Sequence, residues 1–210
     1  MNVAVVVLHY ETCEDTDKCI NSLYYNNQDA EFDVVVVDNG SPKGKILELR
    51  NRECYKNVHV IESQNNLGFA NGNNLGFQYA KNKLNAQLII LANNDLLFEQ
   101  KSFIKKLIHT YEIDIFDVAG PKIVSLIDGK NQNPVRINFT SVSDVDKRII
   151  KFKVLLALNY LGLDRVVRKW FSKPVEEYEL RIGDGYQLHG ACIIFGEHYI
   201  GKYDGLHSEN

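Results

Sequence analysis

Two short runs of apolar, mostly β-branched residues constrain the fold of this chain more than any other feature. Residues 3–8 are entirely apolar, and residues 32–37 end in four consecutive valines. Half-exposed strands alternate apolar and polar residues, whereas strands covered on both faces of a parallel sheet form continuous apolar runs. The sequence therefore predicts two buried parallel strands.

Helical and extended segments alternate through the first half of the chain. Residues 14–26 place apolar side chains at helical spacing, with Asp15 or Thr16 as the N-cap. Further helices are predicted at 45–54, 68–84 and 103–111, and further strands at 58–62 and 87–91. This alternation predicts an α/β fold with right-handed crossovers and ligands at the carboxyl ends of the strands.

The second half of the chain carries a weaker pattern. We expect strands at 117–126 and 135–139 around an Asp128-Gly129 turn, a buried strand at 186–195 broken at Gly190, and a helix at 197–200. Residues 144–172 mix lysine and arginine with apolar residues in a helical pattern. A helix packed on the core is the favoured interpretation, and docking on a membrane surface is the alternative.

Composition excludes several classes of function. The 210 residues are 45% hydrophobic, enough for one domain with a sizeable core, and the net charge of −3 does not favour nucleic acid. No run approaches the roughly 18 apolar residues of a membrane-spanning helix. The four cysteines form no CxxC pair, so we expect buried thiols and a cytoplasmic protein, with peripheral contact at the inner membrane face left open.

Polar residues follow each predicted strand of the first half. They are His9–Thr12, Asp38–Ser41, Gln64–Asn74 and Asn93–Asp95. In an open parallel sheet such residues line the ligand crevice. Asp38 can accept hydrogen bonds from a nucleoside, although an ordinary turn is the alternative.

The Asn93–Asp95 segment has the chemistry of a cation site. One carboxylate beside amide oxygens suits Mg²⁺, which takes further oxygens from phosphate and water. An N-cap for the next helix is the alternative. Gly68, Gly72 and Gly76 recur every four residues and allow close approach to a neighbour or to phosphate, but they match neither a P-loop nor a dinucleotide fingerprint.

Taken together, these segments resemble a known family. Residues 5–10, 36–41, 65–76 and 91–95 have the order and approximate spacing of family 2 inverting glycosyltransferases, particularly the rhamnosyltransferase-like branch, and the resemblance resumes at 188–194 and 200–204. It implies a GT-A fold, which has a Rossmann-like, mostly parallel central sheet flanked by helices and a small additional C-terminal sheet. It also implies a single domain, 1–210, with a nucleotide-binding half at about 1–126 and an acceptor-side half at about 127–210.

The resemblance also implies roles for individual residues. The donor-binding residues would be Leu8, His9, Tyr10, Asp38, Asn39, Asn66, Gly68, Phe69, Asn73 and Asn94. Asp95 with Asn93 would hold Mg²⁺ or Mn²⁺. His189, Gly190 and Ala191 would line the acceptor side, and a histidine that only supports the core is the open alternative for His189.

Inverting transfer requires a general base, which should be a carboxylate. In the family this base follows a segment that corresponds here to Tyr203-Asp204, so we expect it beyond Asn210, in a catalytic domain cut short. Asp204 and Glu209 are the weaker candidates within the chain.

The resemblance suggests dTDP-rhamnose or a UDP-hexose as donor and a saccharide or lipid-linked acceptor. A nucleotide-sugar-binding module without catalysis remains the alternative. A nucleotidyltransferase would show a glycine-rich loop with lysine or arginine after the first strand, and His9–Thr12 is not such a loop.

Overall fold

The computed structural model of this protein describes residues 1–42, 57–133, 135–136, 142–160 and 186–207. The chain divides into two compact units, one formed by Met1–Pro121 with the segment from His189 onward, and the other by Lys122–Leu188. The helix predicted at 45–54 lies outside the described residues.

Ten strands and five helices occur in the described part of the chain. In chain order they are β1 (Val3–His9), α1 (Cys13–Asn26), β2 (Asp33–Asp38), β3 (Val58–Glu62), α2 (Gly68–Asn82), β4 (Leu88–Asn93), α3 (Phe103–Ile113), β5 (Val118–Ala119), β6 (Ile123–Val124), β7 (Asn131–Asn133), β8 (Val135–Arg136), α4 (Val142–Tyr160), β9 (Tyr186–Gln187), β10 (Cys192–Phe195) and α5 (Glu197–Lys202).

A six-stranded sheet forms the centre of the first unit. Its strand order is β3-β2-β1-β4-β10-β5. Strands β1 to β4 run parallel, and β10 runs antiparallel to both β4 and β5. The predicted α/β fold with a mostly parallel central sheet is confirmed.

Helices α1 and α2 cover opposite faces of this sheet. His9 of β1 contacts Thr16 of α1, whereas Val6 lies against Gly76 of α2. Successive side chains of a strand point to opposite faces, so an odd-numbered and an even-numbered residue of β1 meet different helices. Every residue of Val3–Val7 is therefore buried, which explains the continuous apolar run.

Two glycines let α2 lie close to the sheet. A Cβ atom at Gly72 would lie 2.7 Å from Leu8 Cδ1, and one at Gly76 would lie 2.3 Å from Val6 Cγ1. Carbon atoms in van der Waals contact are about 3.5–4.0 Å apart, so a side chain at either position would push the helix outward. The glycines were predicted to allow close approach to a neighbouring element or to phosphate, and at Gly72 and Gly76 the neighbour is the sheet.

The predicted caps of α1 are wrong. The helix begins at Cys13 with Thr12 as its N-cap residue, so Asp15 and Thr16 lie inside its first turn. The chain turns earlier than predicted because the backbone N–H of Thr12 donates to the carbonyl oxygen of Tyr10 at 2.7 Å.

Two predicted long strands of the second half are each divided. The segment 117–126 contains β5 and β6, which belong to different sheets and lie on either side of Pro121, a residue that has no N–H to continue a ladder. The segment 186–195 contains β9 and β10, which also join different sheets. Between them, the N–H of Cys192 donates to the carbonyl oxygen of His189.

The second unit contains two small antiparallel sheets in its described part. One pairs β6 with β7, and the other pairs β8 with β9. The predicted pairing of 117–126 with 135–139 is therefore wrong, because a tighter turn, closed by Ser125 N–H and Lys130 O, brings β7 to β6. The predicted small additional sheet is confirmed, while residues 137–139 lie outside the described residues.

Helix α4 exposes a row of apolar side chains. Ile149, Phe152, Leu156 and Tyr160 lie three or four residues apart along one helix face, and all are exposed. These four side chains do not pack on the core because solvent reaches them, and the favoured interpretation of 144–172 as a helix packed on the core stays a prediction for the rest of the segment. Residues 161–172 lie outside the described residues, and no helix in the described part of the chain is long and apolar enough to cross a membrane.

Candidate functional site

The carboxyl ends of the four parallel strands meet along one edge of the central sheet. His9 pairs with Asp38, Leu8 with Asn93, and Asp38 with Glu62. We call this surface, formed by residues 9–12, 38–41, 62–69 and 93–95, the strand-end edge. The candidate donor-binding and cation-binding residues were predicted to lie at this edge. The strand pairings bring the backbones of these residues together.

Asp38 begins a tight turn at this edge. Its Oδ1 accepts the backbone N–H of Ser41 at 3.0 Å, and the Ser41 hydroxyl oxygen accepts the N–H of Glu11 at 2.9 Å. Gly40 has a φ of +81°, and a Cβ there would lie 2.4 Å from the carbonyl carbon of Asn65. The turn is therefore real, and it links the ends of β1 and β2 while engaging one carboxylate oxygen of Asp38.

Asn39 holds the loop that leads into α2. Its Nδ2 donates to Asn66 Oδ1 at 3.1 Å and to the carbonyl oxygen of Gly68 at 3.2 Å, while its Oδ1 accepts the N–H of Leu67 at 2.9 Å. This side chain is buried. The amide groups of Asn39 and Asn66, predicted to contact a donor, thus bind each other and the loop.

The N-terminus of α2 is consequently fixed at the edge. Gly68 is the first helical residue, with a φ of +76° and open space around its Cα, and Leu67 before it makes no side-chain cap hydrogen bond. Helix N-termini carry unpaired N–H groups and a partial positive charge, which favour anions. The edge therefore contains a region suited to a phosphate group.

The remaining predicted donor residues differ in accessibility. Tyr10 and Phe69 are exposed, Leu8 is half-buried, and His9 and Asn73 are buried. Asn73 Nδ2 donates to the carbonyl oxygen of Phe69 at 2.9 Å, and Asn73 Oδ1 is buried without a hydrogen-bond partner among the described residues. The structure thus presents the side chains of Tyr10 and Phe69 to a ligand, with His9 and Asn73 beneath.

The Asn93–Asp95 segment leaves β4 as a loop. The next helix begins at Phe103, so the alternative that Asn94 or Asp95 caps it is wrong. Asn94 is half-buried and its Nδ2 donates to the hydroxyl oxygens of Thr12 and Thr16, at 2.7 and 2.9 Å. Asp95 is exposed.

The oxygens at this loop fit a weakly held divalent cation. Among the described residues, no group of three or more His, Cys, Asp and Glu side chains is arranged to hold a metal ion. Asp95 offers one carboxylate, and Asn93 offers an amide. Mg²⁺ commonly uses one or two protein carboxylates together with substrate phosphates and water, so these residues fit a cation that arrives with a diphosphate.

The predicted acceptor residues form a turn beside the end of β4. The carbonyl oxygen of Ala191 accepts the N–H of Asn93 at 2.9 Å, and a Cβ at Gly190 would lie 3.8 Å from Phe69 Cζ. His189 Nδ1 accepts the N–H of Ala191 at 3.2 Å, so this ring nitrogen supports its own turn. The turn and Phe69 therefore border the same space.

Asp204 lies away from the strand-end edge. Its Oδ1 accepts a hydrogen bond from Lys81 Nζ at 2.7 Å. Lys81 is thirteen residues beyond Gly68 along α2, about 20 Å at 1.5 Å per residue. The structure does not bring this candidate base to the site, and Glu209 lies outside the described residues.

Two buried thiols lie behind the edge. Burial raises the pKa of Cys19 to about 12, and the charge of Asp95 adds to the rise. Burial also raises the pKa of Cys192 to about 12, with Cys19 contributing. The expectation of buried thiols is confirmed for these two, while Cys13 is half-buried and Cys54 lies outside the described residues.

Two threonines that bind Asn94 were not predicted as site residues. Thr12 was part of a polar strand end and Thr16 was predicted as a cap. Thr12 is the N-cap residue of α1 and Thr16 lies in its first turn, shortly after β1, and both hydroxyls face the end of β4. Because both threonines follow a buried strand, the sequence could indicate that they lie near the edge. Nothing in the sequence identifies Asn94 as their partner.

Residues 4–171 match the family described as Glycosyl transferase family 2. This chain belongs to that family. It is also 30% identical, over 197 residues, to the low-salt glycan biosynthesis hexosyltransferase Agl10 of Haloferax volcanii. That alignment covers 93% of this chain and 53% of the relative, so the chain spans about half the length of that protein.

Solved structures of GT-A glycosyltransferases share the fold. S. aureus TarS 1–349 aligns with a TM-score of 0.53 at 19% identity, over 65% of this chain and 41% of that one. The same fragment in complex with UDP-GlcNAc gives 0.53 at 21%, over 62% and 36%. The mannosyltransferase PcManGT from Pyrobaculum calidifontis, in complex with GDP-Man and Mn²⁺, gives 0.51 at 17%, over 60% and 36%. These likenesses confirm the predicted GT-A fold.

Proposed function

We propose that this chain binds a nucleoside diphosphate sugar at the strand-end edge and transfers the sugar, with inversion, to a saccharide or lipid-linked acceptor. One observation carries the proposal. The N-terminus of α2, the Asn93–Asp95 loop and the turn at Gly190 converge on one edge, through the contacts of Asn39, Asn93 and Phe69. Anion, cation and acceptor regions are thus contiguous.

Each region suits one part of the donor. Asp38 and Tyr10 border the space for the nucleoside, and the first turn of α2 suits the diphosphate. Phe69 and Gly190 border the space between donor sugar and acceptor. A dTDP-rhamnose or UDP-hexose donor follows from the rhamnosyltransferase-like motifs, and the hexosyltransferase name of the Haloferax relative supports the hexose.

Asp95 and Asn93 would hold Mg²⁺ or Mn²⁺ in this proposal. The cation supplies charge that stabilises the leaving diphosphate. A structural neighbour contains GDP-Man with Mn²⁺, which supports a cation of this kind. The acceptor hydroxyl still requires a general base, and Asp204 does not lie at the edge to supply it.

Calorimetric titration with UDP and with dTDP, each with and without Mn²⁺, tests the donor site. We expect binding that strengthens with Mn²⁺, because Asp95 is a single charged ligand and the diphosphate must complete the coordination. The Asp95→Ala variant should lose the Mn²⁺ dependence. The matched control is Glu99→Ala, which removes another exposed carboxylate from the same loop. Absence of binding of both nucleotides to the folded wild-type protein would refute the proposal.

A binding module without catalysis is the second candidate. The ion pair between Asp204 and Lys81, away from the edge, favours it, because it removes one of the two late carboxylates considered as the base. Hydrolysis of UDP-glucose or dTDP-rhamnose with Mn²⁺ separates the two candidates. An enzyme releases the nucleoside diphosphate slowly in the absence of acceptor, whereas a module binds the donor and leaves it intact.

We further propose a cytoplasmic protein that contacts an anionic membrane surface through α4. The exposed apolar stripe of Phe152, Leu156 and Tyr160 has exposed Lys153 beside it, on a helix that also carries Lys147 and Lys151. Apolar side chains with neighbouring lysines bind the interface of anionic lipids.

Sedimentation with vesicles tests this surface. The protein should co-sediment with vesicles of phosphatidylcholine and phosphatidylglycerol and less with phosphatidylcholine alone. Phe152→Asp together with Leu156→Asp should abolish sedimentation, whereas Ile127→Asp, which changes an even more exposed apolar residue in a turn, should not. Equal sedimentation of all three proteins would exclude α4 as the contact.

A further inference from the structure

A buried polar network lies beneath the strand-end edge and joins β1, α1 and the loop after β4. His9 Nδ1 lies 2.7 Å from the hydroxyl oxygen of Thr16, and both residues are fully buried. The same hydroxyl oxygen accepts a hydrogen bond from Asn94 Nδ2 at 2.9 Å. A second hydroxyl, that of exposed Thr12, accepts from Asn94 Nδ2 at 2.7 Å.

The hydroxyl of Thr16 contacts three polar groups. It lies 2.7 Å from His9 Nδ1 and 3.2 Å from the carbonyl oxygen of Thr12, four residues earlier, and it accepts a hydrogen bond from Asn94 Nδ2 at 2.9 Å. The tautomer of His9 decides which of the first two contacts takes the hydroxyl proton, and in either case the oxygen keeps a lone pair for Asn94 Nδ2. Nε2 of His9 faces the thiol of Cys13 at 3.9 Å.

The network also sets the orientation of the Asn94 amide. Its Nδ2 lies among three acceptors, namely both threonine hydroxyls and the carbonyl oxygen of Thr12 at 3.4 Å. A flipped amide would place its oxygen against that carbonyl oxygen, so the donor side must point inward. Asn94 Oδ1 therefore points away from these three acceptors and makes no hydrogen bond within the described residues.

We propose that Thr12 and Thr16 are positioning residues that fix the Asn94 amide, so that Asn94 Oδ1 accepts a hydrogen bond from a hydroxyl group of the bound nucleoside diphosphate sugar. The inference rests on the proposed function, since it concerns the same site. The threonines act through Asn94 and do not touch the ligand. The hydroxyl comes either from the ribose or from the sugar, and an acceptor held in one orientation selects a ligand that offers a donor at that place.

Calorimetric titration with UDP and with UDP-glucose, both with Mn²⁺, tests the inference on five variants. Thr16→Val removes the hydroxyl at nearly constant volume and should weaken binding about tenfold, a typical effect of one lost hydrogen bond. Thr16→Ser keeps the hydroxyl and should bind within about twofold of the wild type. Thr12→Val changes an exposed residue and should weaken binding as well, with a circular dichroism spectrum like that of the wild type.

A double-variant comparison separates positioning from a general loss of structure. Asn94→Ala should weaken binding by at least as much as Thr16→Val, and Thr16→Val with Asn94→Ala should bind no more weakly than Asn94→Ala alone, because the threonine acts through the amide. The matched control is Thr110→Val, since the Thr110 hydroxyl makes the same bond to a carbonyl four residues earlier, at 2.9 Å, without an asparagine.

The outcomes distinguish this inference from the proposed function. Weaker binding of both UDP and UDP-glucose assigns the hydroxyl to the ribose, which both ligands contain, and weaker binding of UDP-glucose only assigns it to the sugar. Unchanged affinity of both Thr12→Val and Thr16→Val, or additive losses in the double variant, overturns the inference while wild-type binding preserves the proposed function. A wild-type protein that binds neither ligand overturns both.

Discussion

The two units of this protein are built in contrasting ways. In the first, β1 pairs with β2 and with β4 over six residues each, and helices cover both faces of the sheet. In the second, each described strand pair has a register of two residues, and α4 exposes a row of apolar side chains. Long registers and two-sided burial hold the first unit, and the second has neither in its described part.

In the proposed function, this contrast separates a preformed donor region from an exposed surface that is accessible to large partners. The strand-end edge is held by hydrogen bonds within the protein, such as those of Asn39 and Asn94, before any ligand binds. Preorganised groups bind small ligands without a further ordering cost. In the proposed function, the exposed face of α4 serves the opposite need, because a membrane or lipid-linked acceptor requires accessible apolar surface.

The largest expected effect contrasts one buried and one exposed phenylalanine. Phe77 is fully buried and packs edge-to-face on Phe195, with ring centroids 5.5 Å apart, whereas Phe152 is 58% exposed. Phe77→Ala should lower the free energy of unfolding by about 3–5 kcal/mol, and Phe152→Ala should change it by less than about 0.5 kcal/mol. Urea denaturation followed by circular dichroism measures both. Equal losses would show that α4 is covered in solution and would remove the contrast.

A second contrast lies within the first unit and uses two helical glycines. Gly76→Ala places a Cβ 2.3 Å from Val6 and 2.8 Å from Val37, whereas Gly201→Ala in α5 meets no atom within 4 Å. The first variant should lose about 1–3 kcal/mol through overpacking. The second should gain about 0.4–1 kcal/mol, since alanine restricts the unfolded chain. Opposite shifts of the thermal midpoint are expected, and a stable Gly76→Ala protein would show that α2 can move off the sheet.

The smallest effect concerns the buried thiols of the first unit. Burial raises the pKa of Cys19 and of Cys192 from about 9 to about 12. In the unfolded chain these thiols ionise above pH 9, so their contribution to stability is complete below pH 9 and is lost as the pH rises towards 12. Cys19→Ala should flatten this alkaline loss in urea denaturation. At pH 8, iodoacetamide should modify half-buried Cys13 and spare the other two, and rapid modification of Cys192 would contradict its burial.

The secondary structure was predicted more accurately from the sequence in the first unit than in the second. Strands covered on both faces leave a continuous apolar run, so β1 and β2 were located correctly and β4 nearly so. Two-residue strands leave no alternation to detect, and the pairing predicted for 117–126 was therefore wrong. For α4, the apolar spacing was visible, but periodicity alone does not reveal whether a face meets the core or solvent.

The sequence placed the candidate residues at one edge of the sheet, but it did not predict the orientation of their side chains. The order of strands and polar segments placed Asp38, Asn39 and Asn94 at one edge, because parallel strands end together. Side-chain amides serve a ligand or the protein's own backbone equally well, so the sequence did not distinguish Asn39, which is occupied within its loop, from Asn94, which keeps one oxygen outward.

Strand β10 is synthesised long after β4, the strand with which it pairs. Cys192 pairs with Ala92, 100 positions earlier, so the second side of β4 acquires its partner only after about 100 further residues have been synthesised. Until then β4, whose sequence Leu-Ile-Ile-Leu-Ala is entirely apolar up to Asn93, is an edge strand with unpaired backbone groups. Such edges pair readily with other chains. A nascent chain that ends before residue 195 therefore presents an apolar edge on which a second copy can assemble.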